Sequence, residues 1–342
     1  MTTLPIDTPE MPGEGKILDH VARIKVDGTR LDQYLCALFG EVASRSSVQR
    51  LIQSGGVLVN SKQGKASYRV RHGDQLTVRQ LEAERPGPAA EDIPLDILYQ
   101  DEHLAVINKP ADMVVHPAKG NWGGTLVNAL RHHFPSLSGL NGDYRAGIVH
   151  RLDRDTSGVI LIAREEQTHR DLALMFEQRK MFKEYIALTA GILDRDSDYI
   201  ESKIAHHPHD RIKMIAAPDE DEDAKDACTY YEVIERFRGF TYVCCQPRTG
   251  RTHQIRVHLA SVGCPVLADK TYSGRDKIKL SDLDPKTDEA SDRVLLPRQA
   301  LHARRLRFRH PRKGTVMEVE APLPPEFVET LAVLRQHRPL YS

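Results

Sequence analysis

The densest group of reactive side chains lies at residues 150–158 (HRLDRDTSG), where two carboxylates stand among three basic groups. Nearby positive charge favours the ionised form of a carboxyl, so Asp153 is expected to be negatively charged at neutral pH. An ionised carboxylate can act as a nucleophile or as a base. The same residue types also occur in loops where Asp accepts backbone N–H groups and Arg forms surface ion pairs. The spacing alone leaves both interpretations open.

A second group, residues 248–258 (RTGRTHQIRVH), combines three arginines with two histidines. Guanidinium groups in a strand-to-helix segment can bind phosphate or carboxylate through paired N–H donors. His253 and His258 are five residues apart, whereas the zinc-binding HExxH pattern places its histidines four apart. This spacing argues against metal binding and favours ordinary polar packing of the two histidines.

Two further segments carry weaker signals. Residues 183–185 (KEY) include Tyr185, which in a strand would pack in the core or offer a stacking face to a nucleobase. Residues 108–110 (NKP) and 114–117 (VVHP) predict a turn with two prolines and, by themselves, indicate little about function.

Strands of one large domain are expected to position these segments. The apolar run at residues 159–163, directly after the first group, predicts a buried strand. A strand at 240–246 precedes the second group, and residues 167–179 have a helical pattern. Other strands are predicted at residues 95–99, 104–108, 185–189, 227–237 and 316–320. Long strands with few helices indicate an α+β domain around a largely antiparallel sheet.

A small α/β unit is predicted at residues 21–80. Apolar residues at helical spacing predict helices within 31–38 and 46–52, and residues 57–60 and 74–78 are expected to be short strands. The remaining limits are a disordered leader at 1–20, a Pro-rich acidic linker at 81–92, a catalytic domain at 93–330 and a polar surface insertion at 274–298.

Charge is distributed unevenly along the chain. The formal net charge is zero, which does not favour a nucleic-acid partner, but residues 21–80 hold ten basic and four acidic residues. A basic module on a neutral chain suggests a phosphate-binding appendage, although ordinary clustering of solvated charges gives the same pattern.

Five cysteines without a CxxC pair argue against a disulfide framework and a zinc knuckle. No run approaches the ~18 apolar residues of a membrane helix, and residues 1–16 do not resemble a secretory signal. A reducing cytoplasm is therefore the expected compartment, and the sequence indicates no oligomeric state.

Taken together, the segments resemble the RluA family of pseudouridine synthases, and within it the branch that modifies bacterial large-subunit ribosomal RNA. The pair HRLD…TSG (150–158) and TGRTHQIRVH (249–258) is the most specific part. Residues 108–117, 183–185 and 300–311 add weaker matches, so that the similarity covers roughly residues 93–325. Residues 28–79 resemble an S4 RNA-binding domain. Where many relatives have Gly after Asn-Lys-Pro-x, this chain has Asp112.

The resemblance implies an enzyme that isomerises uridine to pseudouridine in structured RNA, with no cofactor and no metal. It implies that Asp153 is the catalytic aspartate, that Arg256 pairs with it, and that Tyr185 stacks on the target base. Arg151 is expected to help displace the base. The other implied contacts are His150, Arg251, Lys109 and His253 for the substrate, and Arg30, Arg45, Arg50 and Lys62 for RNA.

Two other functions are compatible with parts of the sequence. A non-catalytic RNA-binding or ribosome-assembly protein on the same scaffold would keep the basic module but not Asp153, Tyr185 and Arg256, which are all present. A hydrolase using His150, Asp153 and Ser157 would need a nucleophile elbow, and triad members are usually distant in sequence.

Overall fold

The computed structural model describes residues 17–22, 28–39, 45–79, 87–118, 120–210, 213–218 and 220–340. The chain divides into two compact units, residues 1–87 and 88–342. Most of the leader predicted at 1–20 lies outside the described residues, as do residues 81–86 of the predicted linker. The predicted leader extends too far, because Ile17–Val21 forms a strand that pairs along its whole length with another strand of the first unit.

The first unit packs two helices against a small sheet. Its elements are β1 (Ile17–Val21), β2 (Thr29–Arg30), α1 (Leu31–Phe39), α2 (Arg45–Gln53), β3 (Val57–Val59), β4 (Lys62–Gln63), β5 (Arg69–Val70) and β6 (Gln75–Arg79). The main sheet has the order β1-β6-β3-β4, and β2 pairs with β5. Leu31, Leu35 and Ile52 are buried between helices and sheet, as their spacing predicts. Gly56 follows α2 so closely that a Cβ there would lie 2.4 Å from the Leu51 side chain.

The second unit is built on a ten-stranded sheet with the order β12-β11-β13-β14-β10-β17-β9-β8-β7, to which β18 adds by pairing with β17. Its strands are β7 (Asp96–Gln100), β8 (Leu104–Lys109), β9 (Ser157–Ala163), β10 (Phe182–Ala190), β11 (Ser197–His206), β12 (Met214–Ala217), β13 (Lys225–Phe237), β14 (Phe240–Pro247), β17 (Leu301–Arg309) and β18 (Val316–Glu320). Within the described residues, only β9 and β17 pair in parallel. The predicted α+β class with a largely antiparallel sheet is confirmed.

Helices cover this sheet and complete its cores. They are α3 (Leu126–His133), α4 (Glu166–Glu177), α5 (Gln254–Ser261), α6 (Leu280–Leu283) and α7 (Pro325–His337). The largest core lies where α5 and α7 pack on the central strands. Every residue of β9 is buried, as its uninterrupted apolar sequence predicts. No helix in the described ranges is long and apolar enough to cross a membrane.

Two predicted limits in this unit are wrong. Residues 274–298 do not form a purely surface insertion, because they contain α6 and a hairpin of β15 (Ile278–Lys279) and β16 (Val294–Leu296). The side chains of Ile278, Leu283 and Leu296 are buried in the largest core. The domain limit at residue 330 falls inside α7, whose last turns bury Leu334. The apolar residues of 274–298 are scattered among polar ones and give no periodic signal, whereas Phe327, Leu331 and Leu334 of α7 recur at helical spacing beyond the predicted limit.

Candidate active site

Asp153 and Arg256 form an ion pair, although they are 103 residues apart in the chain. The Nη1 of Arg256 donates to Oδ2 of Asp153 at 2.9 Å. The Asp153 side chain is 19% exposed and the Arg256 side chain 8%, so that solvent reaches the carboxylate more than the guanidinium. The pair lines a pocket with Arg151, Tyr185 and Arg251. A partly open carboxylate fixed by a buried cation is therefore the chemical centre of the second unit.

The loop that carries Asp153 is fixed by the strand pairing that follows it. Asp153 O accepts the backbone N–H of Thr156 at 3.1 Å, and Gln299 Nε2 donates to Thr156 Oγ1 at 2.8 Å. Gly158 then begins the parallel contact of β9 with β17, where a Cβ would lie 2.1 Å from the oxygen of Ala303. Gly158, at φ +110°, therefore permits the close strand approach that sets the position of the loop.

Arg256 is positioned by the turn between β14 and α5. His253 precedes the helix in the left-handed conformation, with φ +56°. The side chain of Gln254 accepts the hydroxyl of Thr249 at 2.6 Å and the backbone N–H of Arg251 at 3.0 Å. These contacts fold the segment back on itself and direct the first turn of α5, including Arg256, toward Asp153.

Asp269 is a second partner of Arg256 that the sequence analysis missed. Its Oδ2 accepts Nε of Arg256 at 2.7 Å and its Oδ1 accepts Nη2 at 2.8 Å, and its side chain is fully buried. Backbone N–H groups of Thr271 and Tyr272 also donate to Oδ1. Burial alone would lower the pKa of Arg256, but the hydrogen bonds and charge of Asp269, with Asp153, raise it above its ordinary value. Arg256 therefore stays charged in the site.

Tyr272 was also missed, although it connects several parts of the site. Its Oη lies 3.0 Å from Nδ1 of His253, 3.0 Å from N of Met214 and 3.2 Å from O of Met214. The guanidinium carbon of Arg256 lies 5.0 Å from the centre of its ring. Burial raises the pKa of Tyr272 to about 12, so its hydroxyl remains protonated. Asp269 and Tyr272 stand in a short segment (ADKTY) that has no charge cluster or repeat to mark it.

Tyr185 lies in the pocket wall on β10, next to an irregularity in the pairing of β10 with β17. Burial and the charge of Asp153 raise the pKa of its phenol above the usual value. Lys183, two residues earlier, also lines the pocket and donates to O of Thr249 at 2.9 Å. Burial, with the charge of Arg179, lowers the pKa of Lys183 to about 8. The segment at 183–185 thus brings an aromatic ring and an ammonium group to the pocket.

Two predicted substrate contacts need correction, because their side chains do not line the pocket. Lys109 is fully buried and uses its three protons on the carbonyls of Pro110, Met113 and Arg154, at 2.7, 2.9 and 3.0 Å. Burial, with the charge of Arg298, lowers its pKa to about 7. Lys109 therefore connects the loop after β8 to the loop of Asp153 through buried hydrogen bonds. It does not line the pocket.

His150 is the second of these corrections. Its Nε2 accepts the backbone N–H of Leu161 at 2.9 Å, and its ring packs 4.7 Å from the ring of Phe176. Burial, with the charge of Lys183, lowers its pKa to about 3. His150 is thus a neutral packing residue outside the pocket, whereas Arg151, Arg251 and His253 do line it. His253 Nε2 lies 3.9 Å from Oδ2 of Asp153.

Asp112 is the residue that follows Asn-Lys-Pro-x, where the family resemblance leads us to expect Gly. Its backbone adopts φ +60°, a conformation that Gly adopts without strain and Asp more readily than most other residues. The Nε of Arg154 donates to its Oδ1 at 2.7 Å. The side chain that replaces Gly therefore forms an ion pair with the loop of Asp153.

The predicted RNA contacts of the first unit are only partly described. Arg30 donates from Nε and Nη2 to Asp32 at 2.9 and 3.1 Å, which ties it to the start of α1. Lys62 is exposed on β4. Arg45 and Arg50 lie in α2, but their side chains lie outside the described residues. The role of these four cations in RNA binding remains a prediction.

Comparison with known proteins gives consistent results for both units. A family model for RNA pseudouridylate synthase matches residues 103–261, and one for the S4 domain matches residues 29–76. The chain is 39% identical to an uncharacterised RNA pseudouridine synthase of Bacillus subtilis, over 94% of this chain and 99% of that protein. It is 42% identical to ribosomal large subunit pseudouridine synthase D of Nitrosomonas europaea, over 90% of this chain and 85% of that protein. The solved structure of human RNA pseudouridylate synthase domain containing 4 matches with a TM-score of 0.53 and 27% identity, over 70% of this chain and 93% of that one.

Proposed function

The chain belongs to the RNA pseudouridylate synthase family, and we propose that it isomerises uridines of large-subunit ribosomal RNA, with Asp153 as the catalytic carboxylate. The observation that supports this role is the ion pair of Asp153 with Arg256 at 2.9 Å, in a pocket that also contains Tyr185. Relatives named for the large ribosomal subunit support the choice of RNA. Ribosomal RNA as substrate favours the cytoplasm as the compartment.

The reaction has three steps. It breaks an N-glycosidic bond, rotates the uracil and forms a C–C bond, so the product is an isomer of the substrate and no group is gained or lost. The target base must first leave its stack, which costs a few kcal/mol and least in loops and bulges. Accessible uridines of structured RNA are therefore the expected targets.

Each pocket residue has a distinct part in this scheme. Asp153 acts on the flipped nucleotide as a nucleophile or as a proton acceptor at the sugar, and both roles require its ionised form. Arg256 donates to this carboxylate and holds it in the pocket. Tyr185 offers its ring to the uracil, and Arg151, which is exposed and lines the pocket, helps to displace the base.

The S4 unit would add affinity that does not depend on sequence. Arg45, Arg50 and Lys62 supply positive charge for the RNA backbone, and such contacts release counterions and weaken with salt. The first unit would thus hold and orient the RNA while the second carries out the chemistry.

The test of the catalytic role is Asp153→Asn, which keeps the shape of the side chain and removes its charge. We expect pseudouridine formation in unmodified large-subunit ribosomal RNA to be abolished, with RNA affinity largely retained. Asp196→Asn, which removes the same charge from a side chain that is 90% exposed, is the control and should remain active. A near-normal rate of pseudouridine formation by Asp153→Asn would overturn the assignment.

A further inference from the structure

An exposed aromatic pair lies in the loop before α3. Trp122, the single tryptophan of the chain, is 54% exposed. Its ring meets that of Tyr144 nearly edge to face, with 6.4 Å between centroids and 74° between planes. This arrangement supports the indole from one side and leaves much of its surface open to solvent.

The loop that carries Trp122 is held in place by several contacts. Ala118 and Asn121 exchange two backbone hydrogen bonds, of 3.0 and 2.8 Å. The backbone N–H of Gly124 donates to both carboxylate oxygens of Glu91, at 3.2 and 3.0 Å. Thr125 and Asn128 then form a capping box at the start of α3. Trp122 is thus presented on a fixed turn, so little conformational entropy is lost when a flat ligand binds it.

Two exposed cationic groups act on His116, and one of them lines the active-site pocket. Arg145 is exposed and follows Tyr144 directly in the chain, and Arg151 is exposed and lines the pocket of Asp153. The charges of both arginines act on His116, whose pKa is lowered to about 4, first by burial and then by these two cations. His116 is therefore neutral near pH 7, and the two guanidinium groups provide the positive charge around it.

We propose that Trp122, supported by Tyr144 and with Arg145 next to that tyrosine in the chain, stacks an unpaired nucleobase of the RNA whose target uridine enters the pocket of Asp153. The proposal rests on the proposed function, since it concerns RNA bound at the same pocket. Aromatic rings stack on any base because every base has a π-face, and neighbouring arginines attract the phosphates that follow the base. A flipped uridine at Asp153 leaves its neighbours unstacked, and Trp122 would replace part of the stacking that they lose.

The fluorescence of Trp122 tests this proposal directly, because the chain has no other tryptophan. The wild-type protein is titrated with an unmodified transcript of large-subunit ribosomal RNA. We expect the emission to change and the accessibility of Trp122 to acrylamide to fall as the RNA binds. An emission and accessibility that stay constant at saturating RNA would overturn the proposal.

Kinetics of two substitutions provide the second measurement. Trp122→Ala should raise KM for the transcript about 5- to 150-fold, the equivalent of one stacked base, with kcat little changed. Trp122→Phe keeps a stacking ring and should recover most of the affinity. Val328→Ala, at a position 51% exposed on α7, is the control for loss of an exposed apolar side chain and should leave KM unchanged. An unchanged KM for Trp122→Ala would contradict the proposal.

The two proposals fail in different ways. If the wild-type protein forms pseudouridine but Trp122 does not respond to RNA, the stacking surface is wrong and the proposed function stands. If the wild-type protein forms no pseudouridine in this transcript but Trp122 is protected by it, the proposed substrate is wrong and the stacking surface is supported.

Discussion

Asp153 and Asp269 share the guanidinium of Arg256. Asp153 accepts from Nη1 at 2.9 Å, whereas Asp269 accepts from Nε and Nη2 at 2.7 and 2.8 Å. The Asp269 side chain is fully buried, while that of Asp153 is 19% exposed. One carboxylate therefore fixes the arginine, and the other remains accessible to a substrate. This division of roles gives the first prediction.

Asp269→Asn should lower both stability and turnover. The amide cannot accept both N–H groups as a carboxylate does, and breaking a buried ion pair usually costs about 3–5 kcal/mol of the free energy of unfolding. We expect the lower end of that range, since Arg256 keeps Asp153. Misplacement of Arg256 should also reduce kcat by up to about 100-fold. Urea unfolding and single-turnover assays measure the two effects.

The control for this prediction is Glu166→Gln, which removes an exposed ion pair with Arg170 on α4. Such helix-surface pairs contribute about 0.3–0.5 kcal/mol, and this variant should keep its activity. Equal stability of the Asp269 and Glu166 variants would contradict the structural role of Asp269.

Tyr272→Phe should weaken the connection between β12 and the active site. The change keeps the ring beside Arg256 and removes the hydroxyl that lies within hydrogen-bond distance of His253 and Met214. Leaving buried polar groups without a partner costs about 1–3 kcal/mol in the free energy of unfolding. We also expect kcat/KM to fall, because His253 loses the contact that orients its ring toward Asp153.

Tyr230→Phe, on β13, is the matched control for this prediction and should leave the kinetics unchanged. If Tyr272→Phe has wild-type kinetics while its stability falls, the hydroxyl supports the fold but does not position His253.

The lowered pKa of His150 leads us to expect a loss of stability on mild acidification. Its folded-state pKa is about 3, below the ordinary 6.5, because burial disfavours the charged ring. Between these values the unfolded chain binds a proton that the folded chain does not, so stability falls as the pH falls through this window. The contribution of one such group is about 1.4 kcal/mol per pH unit.

The measurement compares unfolding free energies of wild-type protein and His150→Gln at pH 6 and pH 5. The glutamine oxygen can still accept the N–H of Leu161, but it does not titrate. From pH 6 to pH 5 we expect the free energy of unfolding to fall by about 1 kcal/mol less in the variant than in the wild type. The same loss in both proteins would show that His150 does not control this window.

From the basic residues of the S4 unit we expect an affinity for RNA that depends on salt. Joint substitution of Arg45, Arg50 and Lys62 by Gln should reduce the slope of log affinity against log salt by about 2–3, because each lost phosphate contact lowers it by ~0.7–0.9. The rate at saturating RNA should change little. Binding measured between 50 and 200 mM salt tests this prediction, with Arg45→Lys and Arg50→Lys as charge-conserving controls. An unchanged slope in the triple variant would exclude these cations from the interface.

The elements recovered from sequence were those with a strong local pattern. Residues 159–163 form the buried β9, and the helical pattern at 167–179 corresponds to α4, with limits shifted by one or two residues. The strand predicted at 316–320 matches β18. By contrast, α3, β11 and the hairpin with α6 were not predicted. The apolar residues of α3 do follow helical spacing, but the helix is only eight residues long. In β11 and the hairpin the apolar residues are few and irregularly spaced, and their burial depends on partners distant in the chain.

The chain by itself determined the chemical types at the centre of the site: a carboxylate among cations at Asp153, an arginine at 256 and an aromatic ring at Tyr185. Each lies in a short contiguous motif that can be recognised in the sequence without knowledge of the tertiary structure. Only the tertiary structure decided which polar groups meet. It brought Asp269 to Arg256 and turned Lys109 and His150 away from the pocket. The physical reason is that buried polar groups form hydrogen bonds with the groups that the sheet places next to them. Those groups can be far apart in the chain, since the pairing of β9 with β17 joins segments about 145 residues apart.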